Sequence, residues 1–242
     1  MTPQQNDQYN IDTMRERLLH LQERIAQASS FSNRPLDSIT TVAVSKYHPS
    51  SSLRTLFQLG QTVFGENYIQ ECLQKQNELR YLPIQWHFIG HLQRNKAKYV
   101  IGRFHLLHGL DSLKLARTLQ NLAENNALRQ AVLIQVNLAH EESKHGITEQ
   151  DLAPMAEELM AMNNLDLQGL MCMPPYDPDP ERSRPLFARL RELRDSLASR
   201  LGVALPHLSM GMSHDCAQAI QEGATLIRVG TDLFGPRPIQ TV

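Results

Sequence analysis

Cysteine is scarce in this 242-residue chain: Cys72, Cys172 and Cys216 stand far apart, with no CxxC pair. That excludes a disulfide framework and a cysteine-built zinc site, and free thiols suit a reducing cytoplasm. Long apolar runs are missing too. No stretch approaches the roughly 18 apolar residues of a membrane span. The polar start, MTPQQNDQYN, lacks the charged-then-apolar order of a secretory signal. Neither sign of charge is in excess. Lys and Arg number 24 against 25 Asp and Glu, for a formal net charge of −1, which argues against nucleic-acid and anionic-membrane partners. The ten histidines include no HExxH, and no metal site is expected. No GxGxxG or GxxxxGK[ST] follows any apolar run, which removes the main nucleotide-loop signatures.

What is present is ordinary globular composition, with 41% hydrophobic residues, enough for one large core or two small ones. Ile11, Met14, Leu18, Leu21 and Ile25 recur at helical spacing, predicting an opening amphipathic helix over 11–28. Thr13 and Glu16 fit a capping box for it. The turn-forming stretch SFSNRPLDS then leads to a different rhythm. Short β-branched or apolar runs lie at 41–46, 62–67, 86–91, 105–110, 131–137, 167–173, 206–211 and 225–230. Helix-like segments alternate with them, as crossovers between parallel strands require. Eight such units predict an α/β fold, a (β/α)₈ TIM-type barrel over 41–235 with an extra N-terminal helix, all one domain over 1–242. A doubly wound open sheet is the alternative.

A barrel gathers its chemistry at the C-terminal ends of its strands. There the first run delivers Lys46, the second Glu66 and Asn67, the fifth a polar loop at 140–146, the seventh SMGMS (209–213) and the eighth RVGTD (228–232). Loops after strands seven and eight often bind phosphate. SMGMS is small and hydroxyl-rich, and Gly230 and Thr231 add donors with little bulk. Val42, Val44 and Lys46 share one strand face, so valines filling the barrel would put the amine at its mouth. Closure of strand one on strand eight would set it beside those loops. Desolvation and a neighbouring cation would favour the neutral, nucleophilic amine. An amine beside a phosphate cradle suits a phosphorylated aldehyde: pyridoxal 5′-phosphate, or a sugar phosphate in an aldolase. Arg228, on the face of Leu226 and Gly230, would hold a pyridine nitrogen unprotonated and make the ring a poor electron sink.

Taken together, AVSK, FGENYIQE, WHFIGHLQRNK, VNLAHEESKHGI, GLMCMPP, LSMGMSHD and IRVGTDLFG resemble the pyridoxal phosphate homeostasis protein family, in order and across 41–235. The resemblance implies a fold-type III barrel like the N-terminal domain of alanine racemase, with Lys46 carrying the cofactor as an internal aldimine. It implies phosphate contacts from Ser209, Gly211, Met212, Ser213, Gly230 and Thr231, Asn67 near the cofactor and Arg228 at the pyridine nitrogen. It implies a protein that binds, buffers and delivers pyridoxal phosphate without robust turnover, with amino acids and apo-enzymes as further partners; a cytoplasmic location is expected from the free thiols, and a monomer because no long apolar surface stripe stands out. Tyr47, His140 and His214 depart from the residues common in the family. A pyridoxal phosphate-dependent amino-acid racemase is the competing reading. Such enzymes add a C-terminal β domain whose tyrosine faces the lysine. A chain stopping at Val242 is expected to lack it, and only Tyr47, Tyr68 or Tyr176 could replace that tyrosine. Trp86 and Phe88 are read as core, His87 as a hydrogen-bonded strand residue, and RNKAK (94–98) as a solvated helix start.

Overall fold

The structure, a computed structural model, describes residues 9–139 and 145–236. Eight parallel strands close a barrel in sequence order: β1 (Thr40–Val44), β2 (Val63–Glu66), β3 (Gln85–Phe88), β4 (Leu106–Leu110), β5 (Gln130–Gln135), β6 (Leu165–Met171), β7 (His207–Met212) and β8 (Leu226–Val229). β8 returns to β1 in parallel register, with Val42 opposite Arg228 and Ala43 opposite Val229. The expected barrel is the observed fold.

Strand alternation splits the buried side chains into two layers. Val42, Val63, Leu106, Leu133, Met171 and Leu226 fill the barrel interior. Their neighbours along the strands, Ala43, Phe64, Leu107, Ile134 and Ile227, face outward into a larger core against the helices. Apolar side chains therefore stand on both faces of the sheet, as a helix-covered parallel sheet requires, with buried polar exceptions that include His87, His108, Ser209 and Arg228. Trp86 and Phe88 belong to the outer core.

The crossovers run through α2 (Ser50–Gln58), α3 (Ile69–Glu78), α4 (Leu113–Asn125), α5 (Glu149–Met160), α6 (Arg184–Leu201) and α7 (Cys216–Gln221); α8 (Thr231–Phe234) follows β8. Between β3 and β4 the connection is a 3₁₀ turn, Arg94–Tyr99, in place of an α-helix. Its Ala97 is fully buried, so RNKAK is solvated on one side only.

The extra helix α1 spans Ile11–Phe31 and buries Met14, Leu18, Leu21 and Ile25 as the spacing predicts. Its cap is not the Thr13–Glu16 box. Asn10 is the N-cap, its side chain accepting from the Asp12 N–H, so the helix starts a turn earlier and Thr13 lies inside it. Just beyond α1, Arg34 donates to the carbonyls of Ile220 (2.8 Å) and Ala224 (2.7 Å), tying the α1 end to the α7–β8 connection.

Candidate cofactor site

β1 ends at Val44, two residues short of the predicted strand end. Ser45 follows, and Lys46 and Tyr47 form a turn in which Tyr47 takes the left-handed φ of +68°. Lys46 therefore reaches the barrel mouth from a turn and not from the last strand position. It lines a cleft of about 220 Å³ at the C-terminal end of the barrel, together with Val44, Asn67, Ile89, Met173, Met212, Ser213, His214, Arg228, Gly230 and Thr231.

Seven of the nine expected site residues meet in this one cleft: Lys46, Asn67, Met212, Ser213, Arg228, Gly230 and Thr231. Ser209 and Gly211 do not line it. Ser209 is fully buried within β7, its hydroxyl already engaged by Arg228 and His108. Gly211 is needed for a different reason. Its φ is +86°, and a Cβ there would stand 2.5 Å from the Cβ of Ala219, so α7 can pack on β7 only over a glycine. Gly90 serves a matching close approach, where a Cβ would meet the Asn67 carbonyl oxygen at 2.5 Å. The Met212 N–H is bound by Asp215 Oδ1 at 2.7 Å, which folds the SMGMS loop onto itself before α7.

Arg228 is the buried charge of the site, 4% exposed. Its guanidinium donates to Ser209 Oγ at 2.6 Å and to the Cys172 carbonyl at 2.9 Å, which leaves further N–H donors toward the cleft. Burial lowers its pKa from the usual arginine value. Below it a polar chain crosses the barrel interior. His108 Nδ1 lies 2.8 Å from Ser209 Oγ, and His108 Nε2 lies 3.0 Å from His87 Nδ1. A guanidinium can only donate, so Ser209 Oγ accepts from Arg228, and one proton is shared in each of the two His108 contacts. Both imidazoles are then neutral. Burial holds them so, bringing His87 down to about 3 and His108 well below its ordinary value. His87 is the hydrogen-bonded strand residue expected. Its Nε2 is buried without a partner among the described residues.

Two further groups support the mouth. Arg24, on α1, pairs with Asp232 and donates to the Ser213 carbonyl at 2.8 Å, so one side chain clasps the loops after β7 and β8. Nothing local in the sequence marks Arg24, because its partners are 189 and 208 residues away. On the opposite flank, Lys75 is buried among Glu66, Glu71 and Ser45.

At the rim, His91, Asp111 and His145 bring their ligand-type atoms within 4.8 Å of one another. The two imidazoles stack in parallel at 3.6 Å, and His91 Nδ1 lies 3.0 Å from Asp111 Oδ2. An ion shared by both rings would lie between parallel planes, outside at least one of them. The arrangement is held by the His91–Asp111 contact and the ring stack, with His145 Nδ1 4.0 Å from Asp111. His87 and His91, four residues apart, serve separate networks because they flank a strand end. Of the polar loop read at 140–146, residues 140–144 lie outside the described residues, His140 among them.

The donor set fits a phosphorylated aldehyde with an aromatic ring. It has an amine, a buried guanidinium hydrogen-bonded by no carboxylate among the described residues, and a hydroxyl and glycine edge. Asn67 adds an orphan: its Oδ1 is buried without a partner among the described residues.

The family model described as "Alanine racemase, N-terminal domain" matches residues 11–238. A pyridoxal phosphate homeostasis protein of Aquifex aeolicus is 46% identical over 222 residues, covering 92% of this chain and 97% of that protein. The chain belongs to the pyridoxal phosphate homeostasis protein family. Another relative in this family, from Pseudomonas aeruginosa, is 41% identical over 229 residues, 94% of this chain and 97% of its own. Among solved structures, PipY of Synechococcus elongatus PCC7942 with pyridoxal phosphate bound matches with a TM-score of 0.81 and 36% identity, covering 92% of this chain and all of PipY. An alanine racemase of Clostridium difficile 630 matches with a TM-score of 0.73 at 14% identity, covering 96% of this chain and 58% of the racemase. Family and racemase thus share the barrel fold.

Of the departures from the family pattern, Tyr47 directs its hydroxyl to Tyr68 Oη at 2.5 Å, and His214 is an exposed residue on the cleft edge beside Tyr176. Tyr47, Tyr68 and Tyr176 are all absent from the cleft lining.

Proposed function

We propose that this chain binds pyridoxal 5′-phosphate through the Lys46 amine and serves to hold, buffer and deliver it in vitamin B6 and amino-acid homeostasis. The observation that carries the reading is convergence. Lys46, Arg228, Asn67, Ser213, Gly230 and Thr231 arrive from four separated sequence regions at one cleft. The bound cofactor would supply an electrophilic aldehyde carbon and a conjugated ring.

The residues divide the work. Ser213, Gly230 and Thr231, with Met212, form the phosphate edge, and the loops they stand on are held by Arg24 and Asp215. Arg228, with donors left toward the cleft, would hold the ring nitrogen. A permanent donor there keeps that nitrogen unprotonated and restrains carbanion chemistry. Ser209 acts one layer below, orienting Arg228, and Gly211 acts through the packing of α7.

Binding without robust turnover is the proposed role, because the cleft holds a permanent cation where an electron sink would need an acid and is lined by no tyrosine. Amino acids and pyridoxal phosphate-dependent apo-enzymes are the proposed partners, and a cytoplasmic monomer of one barrel domain the proposed form. The three buried free thiols suit that compartment. No helix among the described residues is long and apolar enough to cross a membrane. Equilibrium dialysis tests the reading. One pyridoxal phosphate per chain is expected, with weakened retention in Lys46→Ala; no retention by the wild-type chain would end it.

A further inference from the structure

The turn that carries Lys46 rests on a buried ion cluster behind the cleft. Lys75, on α3, is 4% exposed. Its three N–H donors are all used: to Glu66 Oε1 at 2.6 Å, to Glu71 Oε1 at 2.7 Å and to the Ser45 carbonyl at 2.7 Å. Glu71 Oε1 also accepts from the Tyr47 N–H at 2.6 Å. Ser45 Oγ donates to Glu66 Oε1 at 2.7 Å, and the Ser45 N–H donates to the Gly65 carbonyl at 3.0 Å.

The peptide groups on either side of Lys46 are thereby held by one cluster, the Ser45 C=O by Lys75 and the Tyr47 N–H by Glu71. They need holding. Tyr47 has a φ of +68°, which a bulky L-residue adopts only when its surroundings impose it. Glu66, Glu71 and Lys75 do not line the cleft, so they act on the cofactor through backbone alone. A buried lysine costs several kcal/mol of desolvation unless fully paired. Surface pairing at the next turn of α3 would have secured the helix without that cost.

We propose that Lys75 and Glu71 are positioning residues for the cofactor lysine: they lock the Ser45–Lys46–Tyr47 turn so that the Lys46 amine points into the cleft. This rests on Lys46 being the attachment amine. Without the cluster, the turn relaxes and the amine must be ordered at the moment of attachment, which weakens binding through Lys46 and leaves binding through the phosphate edge unchanged.

The test is a double-mutant cycle read by equilibrium dialysis with pyridoxal phosphate. Lys75→Met strands Glu66 in the interior and is expected to compromise folding, so the deciding variant is Glu71→Ala, whose side chain is partly exposed. Loss of a charge-assisted hydrogen bond is expected to weaken affinity about tenfold in the Lys46 protein. In the Lys46→Ala background the same change is expected to alter affinity less than about twofold, and Glu71→Gln, which keeps the acceptor, restores binding to within that margin. Equal loss in both backgrounds, or no loss in either, overturns the proposal. A wild-type chain whose affinity is unaffected by Lys46→Ala instead overturns the role of Lys46 itself, so the two failures are distinguishable.

Discussion

Arg228 donates to the hydroxyl of Ser209 at 2.6 Å, and the same hydroxyl meets His108 Nδ1 at 2.8 Å. One serine thus couples the cation at the cleft floor to a neutral imidazole chain inside the barrel. Ser209→Ala leaves a guanidinium donor and an imidazole nitrogen unpaired in the interior. The expected cost is about 1–3 kcal/mol of folding stability, measured by urea unfolding, with Ser209→Thr closer to wild type because it keeps the hydroxyl. Unchanged stability in Ser209→Ala would show that the chain does not order Arg228.

The buried histidines give the acid limb of stability a defined sign. His87 in the folded protein is held near 3 against 6.5 when exposed, and His108 is lowered in the same direction. The unfolded chain therefore binds more protons in that window, and stability is full above about pH 6.5 and lost as pH falls toward 3. Each such histidine contributes a slope of about 1.4 kcal/mol per pH unit within it. His87→Gln, whose side-chain amide can still pair with His108, is expected to flatten the slope of unfolding free energy against pH by about one such step. A slope identical to wild type would contradict the neutral assignment.

Gly211 carries a packing prediction. Gly211→Ala forces a left-handed φ on a residue with a Cβ and drives that Cβ to 2.5 Å from Ala219. The expected destabilisation is about 2–4 kcal/mol, seen as a lowered Tm. Gly211→Ala combined with Ala219→Gly recovers the contact part and not the backbone part. Full recovery would mean that φ at 211 is free to change.

Much of this site was legible in the sequence. Alternation along TVAVSK put Val42 inside the barrel, because a period of two assigns a face wherever a strand is buried, whereas Lys46 reaches the mouth through the turn after Val44. Loop position after the seventh and eighth runs found Ser213, Gly230 and Thr231. What escaped has no period. Lys75 sits in IQECLQKQNE, which reads as a solvated helix, and its burial comes from Glu66 and Ser45 on other elements. Arg24 reads as a polar-face residue of an amphipathic helix, yet it clasps Ser213 and Asp232. His108 contacts Ser209 across 101 positions. Pairings of that separation are set by barrel closure, which no local window contains. Ser209, expected at the phosphate, lies deeper in β7 and outside the cleft lining, which on this strand begins at Met212.

Restraint of catalysis is measurable. With pyridoxal phosphate loaded and L- or D-alanine supplied, racemisation is expected to stay well below an ordinary enzymatic turnover of about 1 s⁻¹. Polarimetry or chiral chromatography reads it. A rate at or above that level would place the chain with the racemases whose fold it shares.

Lys46 is the central residue of the proposed site. Protein loaded with pyridoxal phosphate should be yellow, and borohydride reduction followed by peptide mapping should find one pyridoxyl group, on Lys46 in the AVSK segment. A protein that stays colourless, or a map that places the group on another lysine such as Lys96, would contradict it.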